Sequence, residues 1–448
     1  MFYLNKALFF RDLIMALTFA ETLTDAQRKR ARLYAYFSAY TGCISEVMLD
    51  SSAIIIIYFT MLQCSDMLVM FTTSFSGIGS MILLIPFASL VGRIGMKKAV
   101  SIACMIGCGG FLLMALAPFF GPYRQAAALT GCIAYCAQRS LYGVTWYPLL
   151  DGFLRKEDRG SFFGTMRYTY MIISGVLFYL IGKLMGTEPP MYLMQTIIAI
   201  TGILILGRWY CIMHFPDNTM ERTAQNNIPQ ALRISISNGP LVSFSAYICL
   251  LSIAYTSIVP LTLVYLKSYV QLPPGTVQIF STVGIAGSIT GFFFYGKLLK
   301  RFKIKALEVA VHIIFMLSAL ALFALNKDIP GFVWIIGAVY FAASYAASTC
   351  MCNNSTELMA LAPPGNKPMA MAFQQTYQSI GVSIGRTGTA LVLGANLLAP
   401  SWQFMNMTVS HYQTLFLIYG IIAAVLLILF PTLPAVVPKR QDYYEPMR

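Results

Sequence analysis

Glu46 and Asp50 are the only formal charges in the otherwise apolar stretch from about 34 to 62. Four residues apart on a helix, they share one face. Two carboxyls held in a poorly solvated place strengthen each other's hold on a proton unless a cation intervenes. Such a pair can take up a proton and release it when its surroundings change. Arg139 and Arg386, in equally apolar stretches, balance the two acids in sign. A guanidinium matches a carboxylate in shape and charge, so Arg139 is expected to partner the acids or to hold an anionic group. Arg386 could bind a ligand group or satisfy a helix carbonyl. The competing role for the whole set is a structural ion pair that fixes helix packing.

Composition says what must position these charges. Hydrophobic residues make up 58% of the 448 and charged residues 11%, with a mean hydropathy of +0.68. So few charges cannot cover a water-facing surface, and most of the surface is expected to face lipid. Twelve stretches approach the roughly 20 residues a spanning helix needs. They run from about 34 to 62, 68 to 91, 99 to 119, 124 to 150, 162 to 184, 190 to 214, 239 to 267, 273 to 299, 306 to 325, 330 to 357, 369 to 397 and 411 to 433. A charge at the centre of such a helix costs about 2.5–3.5 kcal/mol, so the four buried charges must be paired or used. The longest polar connection, 215–238, divides the chain into bundles at 34–214 and 239–433. Residues 1–33 form a leader that could lie as a helix on the membrane surface, and 434–448 a tail. The expected fold is an all-α integral membrane protein with twelve transmembrane helices in two pseudo-symmetric six-helix bundles.

With the N-terminus in the cytoplasm, 23 of the 31 Lys and Arg fall on the cytoplasmic side, four on the other and four inside spans. That asymmetry orients the chain in the inner, cytoplasmic membrane with both termini inside. It also accounts for the net charge of +14 without nucleic acid as a partner. Cys104/Cys108 and Cys132/Cys136 sit one turn apart in apolar runs with no histidine near, which reads as helix packing rather than a metal site. No nucleophile elbow or phosphate loop is present, so neither an enzyme nor a cofactor is expected. His312 is a lone histidine in the ninth stretch. Arg167 and Arg208 lie toward cytoplasmic ends, where long side chains reach the interface. The pairs Gly182/Gly186, Gly287/Gly291 and Gly381/Gly385 suit close helix packing.

The two halves carry a faint repeat. Ala88-x-Leu90-x-x-Arg93-x-x-x-Lys97 recurs as Gly296-x-Leu298-x-x-Arg301-x-x-x-Lys305, offset by 208 residues. With twelve helices and the six-plus-six split, this resembles the major facilitator superfamily over about 30–435. Arg93, Gly95 and Lys97 match that family's basic loop, while Gly92 and Lys300 stand where it has an acid. Asp151 through Arg159 resembles a second family loop. The resemblance implies gating roles for Arg93, Gly95, Lys97, Asp151, Arg159 and Arg301.

The resemblance also implies a cavity between the bundles, lined by the first, fourth, seventh and tenth helices with the second, fifth, eighth and eleventh at its sides. There it places Arg139, Arg386, Tyr142, Trp146, Tyr247, Tyr255, Thr256, Gln374, Tyr377 and Gln378. Aromatic faces with hydroxyls and amides suit a sugar, and arginines suit a carboxylate. The implied function is a monomeric secondary transporter of a small organic solute: a sugar, sugar acid or other organic anion. It would work by alternating access, as uptake coupled to protons (or sodium) at Glu46 and Asp50. An efflux antiporter of the same fold, or a transport-inactive membrane sensor, are the alternatives. The Gly-Pro stretch of the family's drug exporters is missing from the fifth helix, which favours uptake.

Overall fold

The computed structural model describes residues 22–155, 159–216, 228–302, 304–327, 329–361, 367–395, 397–405 and 407–430. The leader up to residue 21, residues 217–227 of the connection and residues from 431 on lie outside the described residues.

The first helix, α1 (Asp25–Ser51), begins earlier than expected, because Thr24 and Gln27 close a capping box. The Thr24 hydroxyl accepts from the Gln27 amide at 3.3 Å, and Gln27 Oε1 accepts from the Thr24 amide at 2.9 Å. Two orphan donors are thereby satisfied, and the basic run Arg28 to Arg32 becomes part of the helix. The stretch expected as one span to residue 62 is broken. Ser52 is extended, and α2 (Ile54–Met61) leaves α1 at 56°. Ile54 to Phe59 of α2 are all buried; a helix apolar on every side belongs inside the protein.

Next come α3 (Asp66–Ile94), capped by Ser65, and α4 (Met96–Leu116). Gly95 joins them at φ 85°, a conformation that side chains rarely adopt. A 3₁₀ turn at Ala117–Tyr123 leads to α5 (Arg124–Asp151), followed by α6 (Arg159–Met185) and α7 (Met191–Met213). The connection between the halves holds a short helix, α8 (Ile228–Ser237).

The second half opens with α9 (Gly239–Tyr255), capped by Asn238 with Pro240 in its first turn. It too is interrupted, at Thr256, before α10 (Ile258–Val264) and a π turn at Tyr265–Tyr269. The remaining helices are α11 (Pro274–Arg301), α12 (Ile304–Ala324), α13 (Phe332–Leu361), α14 (Lys367–Gly394) and α15 (His411–Leu429). A small hairpin absent from the sequence expectation precedes α15. It pairs β1 (Ser401–Phe404) with β2 (Met407–Ser410), Ser401 opposite Ser410.

Among the described residues, nine helices are long and apolar enough to cross a membrane, or ten with the bent α1–α2 pair. This differs from twelve for two reasons. Met96–Leu150 counts once although it holds both α4 and α5, and α14 is too polar to qualify. Large apolar side chains face outward, Trp334 and Leu184 at 84% and 69% exposure, as lipid contact requires.

The packing repeats between halves. α1 packs on α6 and α7, α3 on α5, and α4 on α5 and α7. Correspondingly, α9 packs on α14 and α15, α11 on α13, and α12 on α13 and α15. The halves meet through α3 with α14 and α6 with α11, two contacts that the repeat exchanges. Glycines allow these approaches. A Cβ at Gly291 would lie 2.7 Å from Tyr345 O, and one at Gly385 2.9 Å from Ile253 O. Gly182 faces Gly275 across the interface between halves, where Gly275 N donates to Gly186 O at 2.8 Å.

Candidate functional site

Asp50 stands at the last turn of α1, just before the break. Its Oδ2 accepts a hydrogen bond from Arg139 Nη1 of α5, and the two form an ion pair. Oδ1 is buried and has no hydrogen-bond partner among the described residues. The expected Asp50–Arg139 partnership is therefore present, with one carboxylate oxygen to spare.

Glu46 does not share that arginine. Its Oε1 accepts from Arg208 Nη1 of α7 at 2.6 Å. Arg208 does not reach the membrane interface as its sequence position implied. Its side chain is 2% exposed and donates to Ser38 O at 3.3 Å. Its guanidinium also lies 4.0 Å from the Tyr142 ring centroid. A buried guanidinium needs a counter-charge and acceptors, and Glu46, Ser38 and the ring face supply them. Tyr142 is thereby committed to Arg208, with Trp146 packed against it at 5.5 Å. Neither lines the cavity between the halves described below.

Arg386 of α14 has no acid partner among the described ion pairs. Its Nη1 donates to Thr73 O of α3 at 2.6 Å, and its Nε to Thr256 O at 3.2 Å. Thr256 is where α9 breaks, so the arginine satisfies a carbonyl freed by the interruption. The α1 break is served in the same way: Ala53 N donates to Ser281 Oγ of α11 at 2.8 Å. The α1 break thus has a loose backbone group held by the opposite half, and the α9 break one held by Arg386 of its own half, at the level of Asp50 and Arg386. Interrupted spanning helices of this kind are tolerated where they are buried or line a cavity.

A cavity of about 160 Å³ lies at this level. Asp50 and Val47 line it from α1, Tyr255 and Thr256 from the α9 break, Ser281 and Ser288 from α11, Tyr340 and Ser344 from α13, and Arg386 from α14. Tyr255 stacks on Phe315 at 4.5 Å, and half-buried Gln378 faces its hydroxyl. Gln374 is buried, with Nε2 unpartnered among the described residues, but it does not line this cavity, nor does Tyr377. Tyr247 points instead into the second bundle, where it meets Glu308 and His312. Ser281, Ser288, Tyr340 and Ser344 were missed by the sequence, because hydroxyls on helices are common and carry no spacing signal.

Toward the end opposite the basic loops, more hydrogen bonds join the halves. Asp66 at the start of α3 accepts from Tyr412 of α15 and, at 2.8 Å, from Ser268. At the basic end, Lys97 donates to Phe215 O at 2.8 Å, within the first half. Arg93 and Arg301 are exposed, the latter 5.6 Å from the Phe302 ring. The side chains of Asp151, Arg159 and Lys300 lie outside the described residues.

The sequence matches the profile of the Major Facilitator Superfamily over residues 41–386. A search of curated protein sequences finds no match. Solved structures resemble the fold at low identity. A mutant of the nucleoside transporter NupG is 15% identical with a TM-score of 0.69, covering 90% of this chain and 99% of that one. A D-xylose-proton symporter is 12% identical with a TM-score of 0.69, covering 90% and 96%. A bacterial homologue of the iron transporter ferroportin, inward-facing, is 11% identical with a TM-score of 0.64, covering 90% and 98%. With its profile match, repeated helical packing and apolar exterior, this chain is a multi-pass membrane protein that belongs to the major facilitator superfamily of transporters.

Proposed function

We propose that the chain imports a small polyhydroxy organic solute, a sugar or sugar acid, together with a proton. The observation that carries this is the cavity between the halves, where hydroxyls of Tyr255, Thr256, Ser281, Ser288, Tyr340 and Ser344 surround Asp50 and Arg386. Hydroxyl side chains both donate and accept, which suits a solute rich in hydroxyls. The similarity to a nucleoside transporter and a xylose symporter supports the same class, since both carry a polyhydroxy ring. Arg386, which closes no ion pair among the described residues, favours the anionic members.

Asp50 is the coupling acid in this scheme. While ionised, it holds Arg139. A proton on Asp50 removes that counter-charge and frees the guanidinium for a solute oxygen. Proton and solute then bind together, and each favours the other. Glu46, tied to Arg208, is structural. The bundles 34–214 and 239–433 are the bodies that move, and the basic loops face the cytoplasm. At about 160 Å³ the cavity is below the roughly 300–1,000 Å³ usual for ligand pockets, so admission of solute requires the halves to part.

The test is uptake into proteoliposomes of labelled pentoses, hexoses, sugar acids and nucleosides, with and without an inward proton gradient. One class should accumulate with the gradient, and Asp50→Asn should abolish accumulation while sparing exchange. Accumulation that Asp50→Asn leaves intact removes Asp50 from coupling. No flux of any class removes the solute assignment.

A further inference from the structure

A second polar cluster lies inside the second half, away from the cavity. It joins α9, α12 and α13. Glu308 is 6% exposed, Tyr247 1%, and His312 and Asn353 0%. Tyr247 Oη lies 3.1 Å from Glu308 Oε1 and 2.9 Å from His312 Nε2. His312 Nδ1 lies 2.8 Å from the backbone oxygen of Glu308, and Asn353 Nδ2 donates to Glu308 Oε2 at 2.6 Å. Among the described residues no ion pair closes on Glu308.

Counting hydrogens shows what this geometry requires. A backbone oxygen only accepts, so His312 Nδ1 carries a hydrogen. In the neutral ring Nε2 is then a bare acceptor, and an ionised Glu308 is acceptor-only. The Tyr247 hydroxyl has one hydrogen and faces both acceptors. One approach would set two lone pairs against each other in a buried place, which is costly. A single extra proton resolves the conflict in either of two ways. Carried by Glu308, it is donated to the Tyr247 oxygen while Tyr247 donates to Nε2. Carried by His312, the imidazolium donates to Tyr247, which donates to the carboxylate. The two forms interconvert by moving two hydrogens through the hydroxyl.

We infer that Glu308, Tyr247 and His312 form a proton-binding site within the second half, a relay that holds one proton in the folded protein. It is separate from Asp50 and stands whether or not Asp50 couples transport. The other groups facing it are few. From α13 come Cys350 and Glu357, the latter one turn beyond Asn353 and 7% exposed. From α11 comes Tyr295, whose hydroxyl pairs with Thr356 at 3.0 Å. Toward α15, Phe430 covers the site with its ring 5.6 Å from the imidazole. The site is also wired to the cavity by packing: Tyr255, two turns along α9, stacks on Phe315, three residues beyond His312.

The experiment is thermal unfolding of the full chain in detergent across pH. An unfolded chain has an ionised glutamate and a histidine that titrates near pH 6.5. Above about pH 6.5 the folded protein therefore holds one more proton than the unfolded one. Its folding equilibrium weakens up to about tenfold per pH unit until the site lets go, and the melting temperature falls. Glu308→Gln supplies a neutral amide that donates to Tyr247, so the fall should flatten. His312→Phe removes one of the two acceptors and should flatten it from the other side. Glu357→Gln should keep the wild-type slope. A wild-type slope in Glu308→Gln, or its loss in Glu357→Gln alone, overturns the assignment. If Glu308→Gln and His312→Phe fail to fold, infrared spectra of the wild type with labelled glutamate and histidine decide. A protonated carboxyl or an imidazolium persisting above about pH 7.5 supports the site, and the absence of both overturns it.

Discussion

The Arg208 guanidinium occupies the space that a side chain at Gly42 would need. A Cβ built at Gly42 runs into its Nε and Cζ, so the arginine lies flat between the α1 backbone and the Tyr142 ring. Gly42→Ala should therefore force the guanidinium off the ring and strain its bond to Glu46. Overpacking of this kind costs about 1–3 kcal/mol. The expected result is a lower melting temperature in detergent, while Gly143→Ala, with open space around its Cβ, is neutral.

The Glu46–Arg208 pair should behave as a unit. Removing one partner of a buried pair leaves the other uncompensated, at about 3–5 kcal/mol, whereas replacing both is often nearly neutral. Glu46→Gln and Arg208→Met should each destabilise strongly, and the double variant much less than their sum. A double-mutant cycle on thermal unfolding measures this. Additive losses would show that the pair is not coupled.

Arg386 holds two carbonyls, Thr73 O and Thr256 O, from different halves. Arg386→Leu orphans Thr256 O, since Pro260 four residues on has no N–H to offer it, while Thr73 O keeps its place in the α3 ladder; a buried unsatisfied acceptor costs about 1–3 kcal/mol. Arg386→Lys, a single-point donor, should recover part of the stability. If the arginine also binds solute, the lysine variant should regain stability but keep weakened solute affinity, which a ligand titration separates.

The Asp66–Tyr412 hydrogen bond fastens the halves at the end away from the basic loops. A hydrogen bond to a charged group contributes about 1.5–3 kcal/mol. Tyr412→Phe should thus raise the population open at that end by about tenfold or more. A thiol placed at Val259→Cys, in the cavity lining, should react faster with a reagent applied from that side. An unchanged rate would mean that Gly186–Gly275 and the neighbouring packing hold the end without it.

The sequence made the acids legible because a charge inside an apolar run stands out. Asp50 and Arg139 are partners for the reason their cost implied. Arg208 was misplaced because its position near a helix end resembles that of a side chain reaching for the interface. Nothing local reveals that Gly42 leaves room for it to fold inward. Glu308 escaped notice for a related reason: four residues into α12, it reads as the edge of a loop. The first helix break was equally hidden: it falls at Ser51-Ser52, without glycine or proline, and depends on Ser281 from the other half. The second, at Thr256-Ser257, lies four residues before Pro260, which has no N–H for the Thr256 carbonyl, and Arg386 of the same half takes that carbonyl up. The repeat, by contrast, was visible in two short motifs and returned as a repeated pattern of helix contacts.

The uniformly buried α2 has a consequence for how it can be held. With Ile54 to Phe59 apolar or aromatic on every side, its composition provides no stripe that distinguishes one rotation about its axis from another. Among its described side chains, Tyr58 alone hydrogen-bonds outside the helix, donating to Met114 O at 2.5 Å. That bond acts as the key that sets the roll of α2. Without it the segment would keep its apolar burial but lose its rotational register, and with it the fixed direction in which the chain enters α3.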